Sequence, residues 1–282
     1  MLSATEASAV NKPAMSDQAA GLRRMLAPRG LRVVPLSGAA RPEDQARIAA
    51  QLAQALARLG RNVIIIDQSR GAVAAHWGLR TRYELGQVLS GDRTWGQVLQ
   101  QGPDGIGLLP ASRGLGELDH SNAVVGVLSQ LYCSPVKPDL VILNMSCGGS
   151  TVSLADPCGD WLFAAGAGCG GLMPAYSEMK RLAGRVRPQR LQVLVEGAAD
   201  PADAHVAFGN LAAAARRFLD LDLYFCGNVP RITDRATAQG ALPGALNQLA
   251  LGIETWRLRT YVPRMACDLK NFPERTVSTS WS

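Results

Sequence analysis

Apolar residues recur in two arrangements along this chain. Short unbroken runs, such as Val63–Ile66 and Leu140–Leu143, suit strands buried on both faces, whereas longer stretches with apolar positions three or four apart suit helices. The first unit is the clearest. A strand from Leu31 to Leu36 enters a small-residue turn at Ser37-Gly38, and an alanine-rich helix then runs to about Leu59. That helix places Ile48, Leu52, Ala55, Leu56 and Leu59 on one face, and Gly60 stops it before the strand Val63–Ile66, which ends at Asp67. Two short helical pieces near Leu85–Leu89 and Trp95–Gln100 precede a strand at Ile106–Leu109, a helix at Leu118–Leu131 and the strand Leu140–Asn144. Further on come a strand at Trp161–Ala164, a glycine-rich loop at Gly166–Gly171, a helix from about Tyr176 to Arg185 and a strand at Leu191–Glu196. The series closes with a helix at Ala202–Leu219, a strand at Leu221–Phe225, and helical spacing of Leu242, Leu246, Leu249, Ile253 and Trp256. Alternating strands and helices predict an α/β fold: a doubly wound, mostly parallel sheet flanked by helices. No internal repeat interrupts the series.

Composition supports one domain with a sizeable core: 282 residues, 47% of them hydrophobic. We expect residues 1–15 to be disordered, 16–28 to form a separate short helix, 31–260 to form the α/β domain, and 270–282 to be a flexible tail. No apolar run reaches membrane-spanning length, and the N-terminus lacks the basic-then-apolar layout of a signal peptide, so the expected location is cytoplasmic. The six cysteines show no metal-ligand spacing and the three histidines are scattered, so no metal site is expected. The net charge of +6 comes almost entirely from dispersed arginines, with four lysines in the chain. Pairs at Arg23-Arg24 and Arg216-Arg217, and a looser group from Arg181 to Arg190, are the concentrations. A solvated mixed surface is the expected reading, with a patch for anionic lipid or nucleic acid as the alternative, and the DQAAGLRR opening at residues 17–24 makes DNA an unlikely partner.

The first strand–loop–helix–strand unit has the layout of a nucleotide-binding P-loop. Such a loop needs glycines so that backbone N–H groups can wrap phosphate, a Lys for the β/γ oxygens, and a Ser or Thr hydroxyl for Mg²⁺. Here the loop supplies Ala39, Ala40, Arg41, Pro42, Glu43, Asp44 and Gln45. Pro42 has no N–H to donate, and two carboxylates beside a triphosphate repel it.

Several stretches in the right order resemble the MinD/ParA branch of P-loop ATPases, and within it the FlhG (FleN, YlxH) family of flagellar regulators. SDQAAGLRR (Ser16–Arg24) resembles the DQAxxLR segment that precedes the ATPase domain in that family. IAAQLAQALARLGRNVIIID (Ile48–Asp67) resembles its first helix and second strand. LGQVLSGDRTWGQVLQQGPDGIGLLPASRGL (Leu85–Leu115) resembles its middle segment, PDLVILN (Pro138–Asn144) its Walker B strand, and Leu211–Val229 its late helix and strand. The departures are as informative. The family loop, KGGVGKT, carries two lysines; the only cations between Ser37 and Ile48 here are Arg41 and Arg47. Asp67-Gln68-Ser69 keeps the first carboxylate of the family's Asp-x-Asp and loses the second. Asn144 stands where the Walker B strand ends in Asp, and Glu196-Gly197 where an Asn would read adenine.

The resemblance implies a regulator of flagellar number or placement whose ATP site is degenerate at Ser37, Gly38, Arg41, Gln45, Arg47, Asp67, Asn144 and Glu196. No cofactor is expected, with Mg-ATP retained only if the divergent loop still binds nucleotide. It implies that the helix from Asp17 to Ala27 binds the signal-recognition-particle-type GTPase FlhF and stimulates its GTP hydrolysis. Asp17, Gln18, Ala19, Leu22, Arg23 and Arg24 are the contact residues, and Gln18 orients the attacking water. Other flagellar basal-body or regulatory proteins are further expected partners. Membrane association is expected to be weak or indirect, because the C-terminal helix pairs its apolar face with Asn247, Gln248 and Glu254, and basic Arg257 and Arg259 come only at its end. A position at the inner membrane face or cell pole follows from the same family. The alternatives are an active but divergent MinD-type ATPase with ATP-dependent dimerisation and membrane association, and a ParA-like DNA-associated protein.

Overall fold

The computed structural model describes residues 30–112, 121–134, 137–146, 159–186, 188–230 and 244–261. The expected N-terminal helix with Asp17, Gln18, Ala19, Leu22, Arg23 and Arg24, the N-terminal fifteen residues and the tail lie outside the described residues.

Strand β1 (Leu31–Gly38) leads through Ala39–Arg41 into helix α1 (Pro42–Arg58), and β2 (Val63–Asp67) follows. Helices α2 (Ala72–His76), α3 (Leu85–Leu89) and α4 (Trp95–Val98) are each about a turn long. Then come β3 (Gln100–Gln101), β4 (Gly107–Pro110), α5 (Ser121–Tyr132), β5 (Leu140–Asn144) and β6 (Asp160–Gly166). The chain continues through α6 (Cys169–Arg185), β7 (Arg190–Glu196), α7 (Pro201–Leu219), β8 (Leu223–Val229), α8 (Gly244–Gly252) and β9 (Arg259–Tyr261). The strands form one sheet in the order β3-β4-β2-β5-β1-β6-β7-β8. All neighbours pair in parallel except β3 with β4. The short β9 runs antiparallel to the first three residues of β1, whose last three residues pair with β6. This is the doubly wound, mostly parallel sheet expected from the pattern; the two antiparallel additions were not.

The central strands β1, β2, β4, β5 and β6 are buried on both faces because alternate side chains feed two cores. Val34, Leu36, Val63, Ile65 and Ile142 pack with α1 and α8 on one side. Val33, Ile64, Ile66, Val141, Leu143 and Phe163 pack with α5, α6 and α7 on the other. Ile48, Leu52 and Leu56 of α1 are fully buried, each worth about 1.5–3 kcal/mol relative to exposure. Leu59, expected on the same face, is instead 48% exposed, because α1 ends at Arg58 and the chain turns outward at Gly60, whose φ is +77°.

The glycine-rich stretch also departs from expectation. Gly166 is the last residue of β6, and Gly170 and Gly171 lie inside α6, which begins seven residues before Tyr176. A Cβ on Gly171 would sit 2.3 Å from the Gly166 carbonyl oxygen, so these glycines serve close packing of a helix on its own strand. Helix α8 docks on α1 and β8 with Leu246, Leu249 and Ile253 buried. Its apolar stripe therefore faces the core; Leu242 lies outside the described residues.

Candidate functional site at the strand ends

Register brings the candidate residues together. Asn144 is level with Leu36 on β1 and with Asp67 on β2, so the ends of the three central strands form one row. Ser37 and Gly38 lie just beyond it, and the first turns of α1 stand over it. Gly38 is required there by its neighbour: a Cβ would come within 2.4 Å of the Ala164 carbonyl oxygen.

Three buried side chains form a relay across this row. Gln45 Nε2 donates to Asn144 Oδ1 at 2.9 Å and to the Met145 carbonyl at 2.6 Å. Asn144 Nδ2 donates to Asp67 Oδ1 at 2.8 Å. The same carboxylate oxygen accepts from the Ser69 backbone N–H at 3.0 Å and the Ser69 hydroxyl at 2.6 Å. Asp67 thus closes the turn after β2. Gln68 joins in, its Oε1 accepting from the Ser146 N–H at 3.2 Å. Because the Asn144 amide must present oxygen to Gln45 and nitrogen to Asp67, its orientation is fixed from both ends.

A second set of charges lies beside this relay. Arg41 donates to Asp44 at 2.9 Å, and this bond and its charge raise the Arg41 guanidinium above its usual pKa. Buried Arg47 pairs with buried Glu196 at 3.3 Å and approaches Asp44 at 3.9 Å, while its other terminal nitrogen, Nη1, has no partner among the described residues. His76 is pushed below the ordinary imidazole range by burial and by Arg47. On the other side, Ser37 Oγ donates to Glu178 at 3.4 Å, and Arg181 holds that buried carboxylate through two nitrogens. Glu178 and Arg181 were not among the expected site residues. They lie on the Tyr176–Arg185 part of α6 that the sequence predicts as helix, but three residues apart they read as an ordinary helical ion pair.

All eight expected strand-end residues therefore meet in one region, and most of their side-chain polar groups already have partners within the chain, Arg47 Nη1 excepted. Mg-ATP asks for a phosphate-binding cation, free backbone N–H groups and a carboxylate for the metal shell. The residues present do not fit it. Pro42 occupies the first helical position, Glu43 and Asp44 place two carboxylates in the first turn, and Gln45 and Asn144 are turned onto Asp67. A cavity of about 270 Å³ remains, lined by Ala40, Pro42, Gln45, Ser69, Arg70 and Met145 among others. No group of three metal-ligating side chains occurs among the described residues. No helix among them is long and apolar enough to cross a membrane.

No protein-family model matches the chain. Solved structures define the class. The MinD cell division protein of Aquifex aeolicus superposes with a TM-score of 0.57 at 14% identity, covering 82% of this chain and 99% of that one. A ParA family ATPase from Chlorobium tepidum does so with a TM-score of 0.53 at 12% identity, covering 80% and 99%. This is the MinD/ParA fold of P-loop ATPases. Within that class the chain is similar in sequence to the antiactivator FleN of Pseudomonas aeruginosa, 26% identical over 206 residues that make up 71% of this chain and 74% of that protein. The resemblance carried by the sequence motifs is borne out.

Proposed function

We propose that this chain is a FleN-like regulator of flagellar number or placement that acts by binding other proteins and does not hydrolyse ATP. The observation that supports the reading is the Gln45–Asn144–Asp67 relay, in which the protein's own amides occupy Asp67 and one another at the strand ends. The ion pair between Arg47 and Glu196 works in the same direction, since it commits to a neighbour a cation that could otherwise serve phosphate.

The FleN relative is by its name an antiactivator, which fits a role exercised through a protein partner. One surface supports such a role. Met173 and Phe218, 70% and 63% exposed, flank a cleft of about 340 Å³ between α6 and α7 that Leu172, Tyr176 and Leu211 also line. Exposed apolar side chains grouped around a cleft are a common mark of protein contact. In this proposal the N-terminal segment with Gln18 and Arg23 engages an FlhF-type GTPase, a step completed in the partner's site and independent of the strand-end row.

Calorimetric titration of the full chain with Mg-ATP and Mg-ADP, followed by a phosphate-release assay, tests the first half. No heat of binding at millimolar nucleotide and no release are expected. Micromolar affinity with turnover would sink it and favour the divergent-ATPase alternative. For the second half, the GTP hydrolysis rate of an FlhF-type GTPase is expected to rise with the full chain and not with Gln18→Ala.

A further inference from the structure

The cleft between α6 and α7 constrains its occupant by shape, polarity and charge. Its walls are two helices, lined by Leu172, Met173 and Tyr176 on α6 and by Leu211, Ala214 and Phe218 on α7. From Leu211 to Phe218 the lining runs for about two helical turns. Leu211, 3% exposed, forms the floor, whereas Met173 and Phe218 stand out at the rims. Tyr176 meets Phe218 edge to face, with ring centroids 6.4 Å apart, which ties the two helices together. Asn210 is the one amide in this apolar and aromatic lining, so a small polar ligand finds little to bond. An extended peptide needs an open sheet edge for its backbone groups, and helical walls offer none. A helix brings its backbone already satisfied and needs only side-chain contacts. Apolar residues at i, i+4 and i+7 give it a stripe of matching length. A lipid surface would instead ask for a protruding apolar face without a recessed floor.

Charge narrows the choice further. Lys180 is exposed, lies about one turn beyond Tyr176 on α6, and has no carboxylate partner among the described residues. Arg217 is exposed as well, with its Cζ 5.2 Å from the ring centroid of Phe218. The carboxylates of these helices are occupied or distant. Glu178 is held by Arg181 and Ser37, Asp220 at the C-cap of α7 is engaged within the chain, and Asp203 lies about two turns before Asn210. The chain carries a net charge of +6, and residues 1–29 and 262–282 each hold more Lys and Arg than Asp and Glu. A second copy, or either of those segments, is therefore a poorer occupant than an acidic partner. We propose that the α6–α7 cleft docks an amphipathic helix of another protein, with apolar anchors at i, i+4 and i+7 and carboxylates beside them that meet Lys180 and Arg217. This rests on the reading of the chain as a regulator that binds other proteins, and it states the chemistry of one such partner.

A displayed library of helical peptides, apolar at i, i+4 and i+7 and randomised over Glu, Lys and Ser elsewhere, would be selected on the full chain. The affinity of the winning peptides would then be measured by fluorescence anisotropy. We expect winners with more Glu than Lys and micromolar Kd. Binding is lost in Ala214→Trp, which fills the cleft, and weakens about tenfold in the double variant Lys180→Glu, Arg217→Glu. Thermal unfolding checks that the variants fold; should Ala214→Trp not fold, the double variant at two exposed positions decides alone. An absence of winners, winners without an excess of Glu, or binding undiminished in the folded variants overturns the proposal. Two further results overturn it by assigning the cleft elsewhere: cosedimentation with phosphatidylglycerol–phosphatidylcholine vesicles, or self-association, that the same variants abolish. Turnover of ATP by the chain would sink the parent reading and leave the peptide result standing, whereas failure of the peptides without ATP turnover removes the cleft alone.

Discussion

Asn144 shows how one side chain can change what a strand end does. A carboxylate at that position would lie 2.8 Å from Asp67 Oδ1, where the Asn amide now donates. Substituting Asn144→Asp removes that donor and turns a fully buried hydrogen bond into a repulsion between like charges, while Gln45 keeps its acceptor at Oδ1. We expect a loss of about 2–4 kcal/mol at pH 7, read by urea unfolding. A variant as stable as the parent would show that the relay is not what orders the strand ends. Cys226 offers a second residue-level test. Burial, helped by the Asp160 charge, raises its thiol from 9.0 to about 12. A raised acid is held neutral in the fold, so its stabilising contribution is present below the unfolded value and is lost as pH rises above it. At pH 8.5, iodoacetamide should modify exposed Cys133 and spare Cys226, as peptide mass mapping would report; comparable rates would contradict this burial.

At the scale of elements, helix α6 separates glycines that pack from glycines that merely occur. Gly171→Ala drives a Cβ against the Gly166 carbonyl, whereas at Gly170 a Cβ meets nothing within 4 Å. The first should cost about 2–3 kcal/mol and the second should be neutral or slightly stabilising, as measured by chemical unfolding. Equal effects would mean that α6 does not seat on β6 as described. The same helix shows where sequence reading succeeds and fails. The buried runs of β2 and β5 and the apolar face of α1 were legible because their periodicity survives without tertiary context. A glycine run reads as a loop until the strand against which it packs is known, and so the start of α6 was missed. Strands β3 and β9 were missed for a related reason: two or three residues carry no period, and only pairing to β4 and β1 makes them strands. At the site, Asp67, Asn144 and Gln45 were legible as departures from a phosphate loop. Glu178 was not, since its link to Ser37 spans 141 residues.

For the whole molecule, the question is whether nucleotide or the chain itself fixes the strand ends. A relative that binds Mg-ATP at ligand concentrations of one hundred times Kd gains about 2.7 kcal/mol of stability, which raises Tm by several degrees in a domain of this size. Here the Gln45–Asn144–Asp67 relay and the Arg47–Glu196 pair already connect α1 to the ends of β2, β5 and β7. Helix α8 packs its apolar residues Leu246 and Leu249 against the domain, next to α1. In this arrangement the described strand-end side chains, Arg47 Nη1 apart, already have partners within the chain. Thermal unfolding of the full chain should therefore be the same with and without millimolar Mg-ATP, and its sedimentation should be unchanged by the same addition. A Tm raised by several degrees, or a dimer that appears only with Mg-ATP, would show that the relay yields to nucleotide. In that case the ATP-dependent dimer becomes the better account of how this fold works.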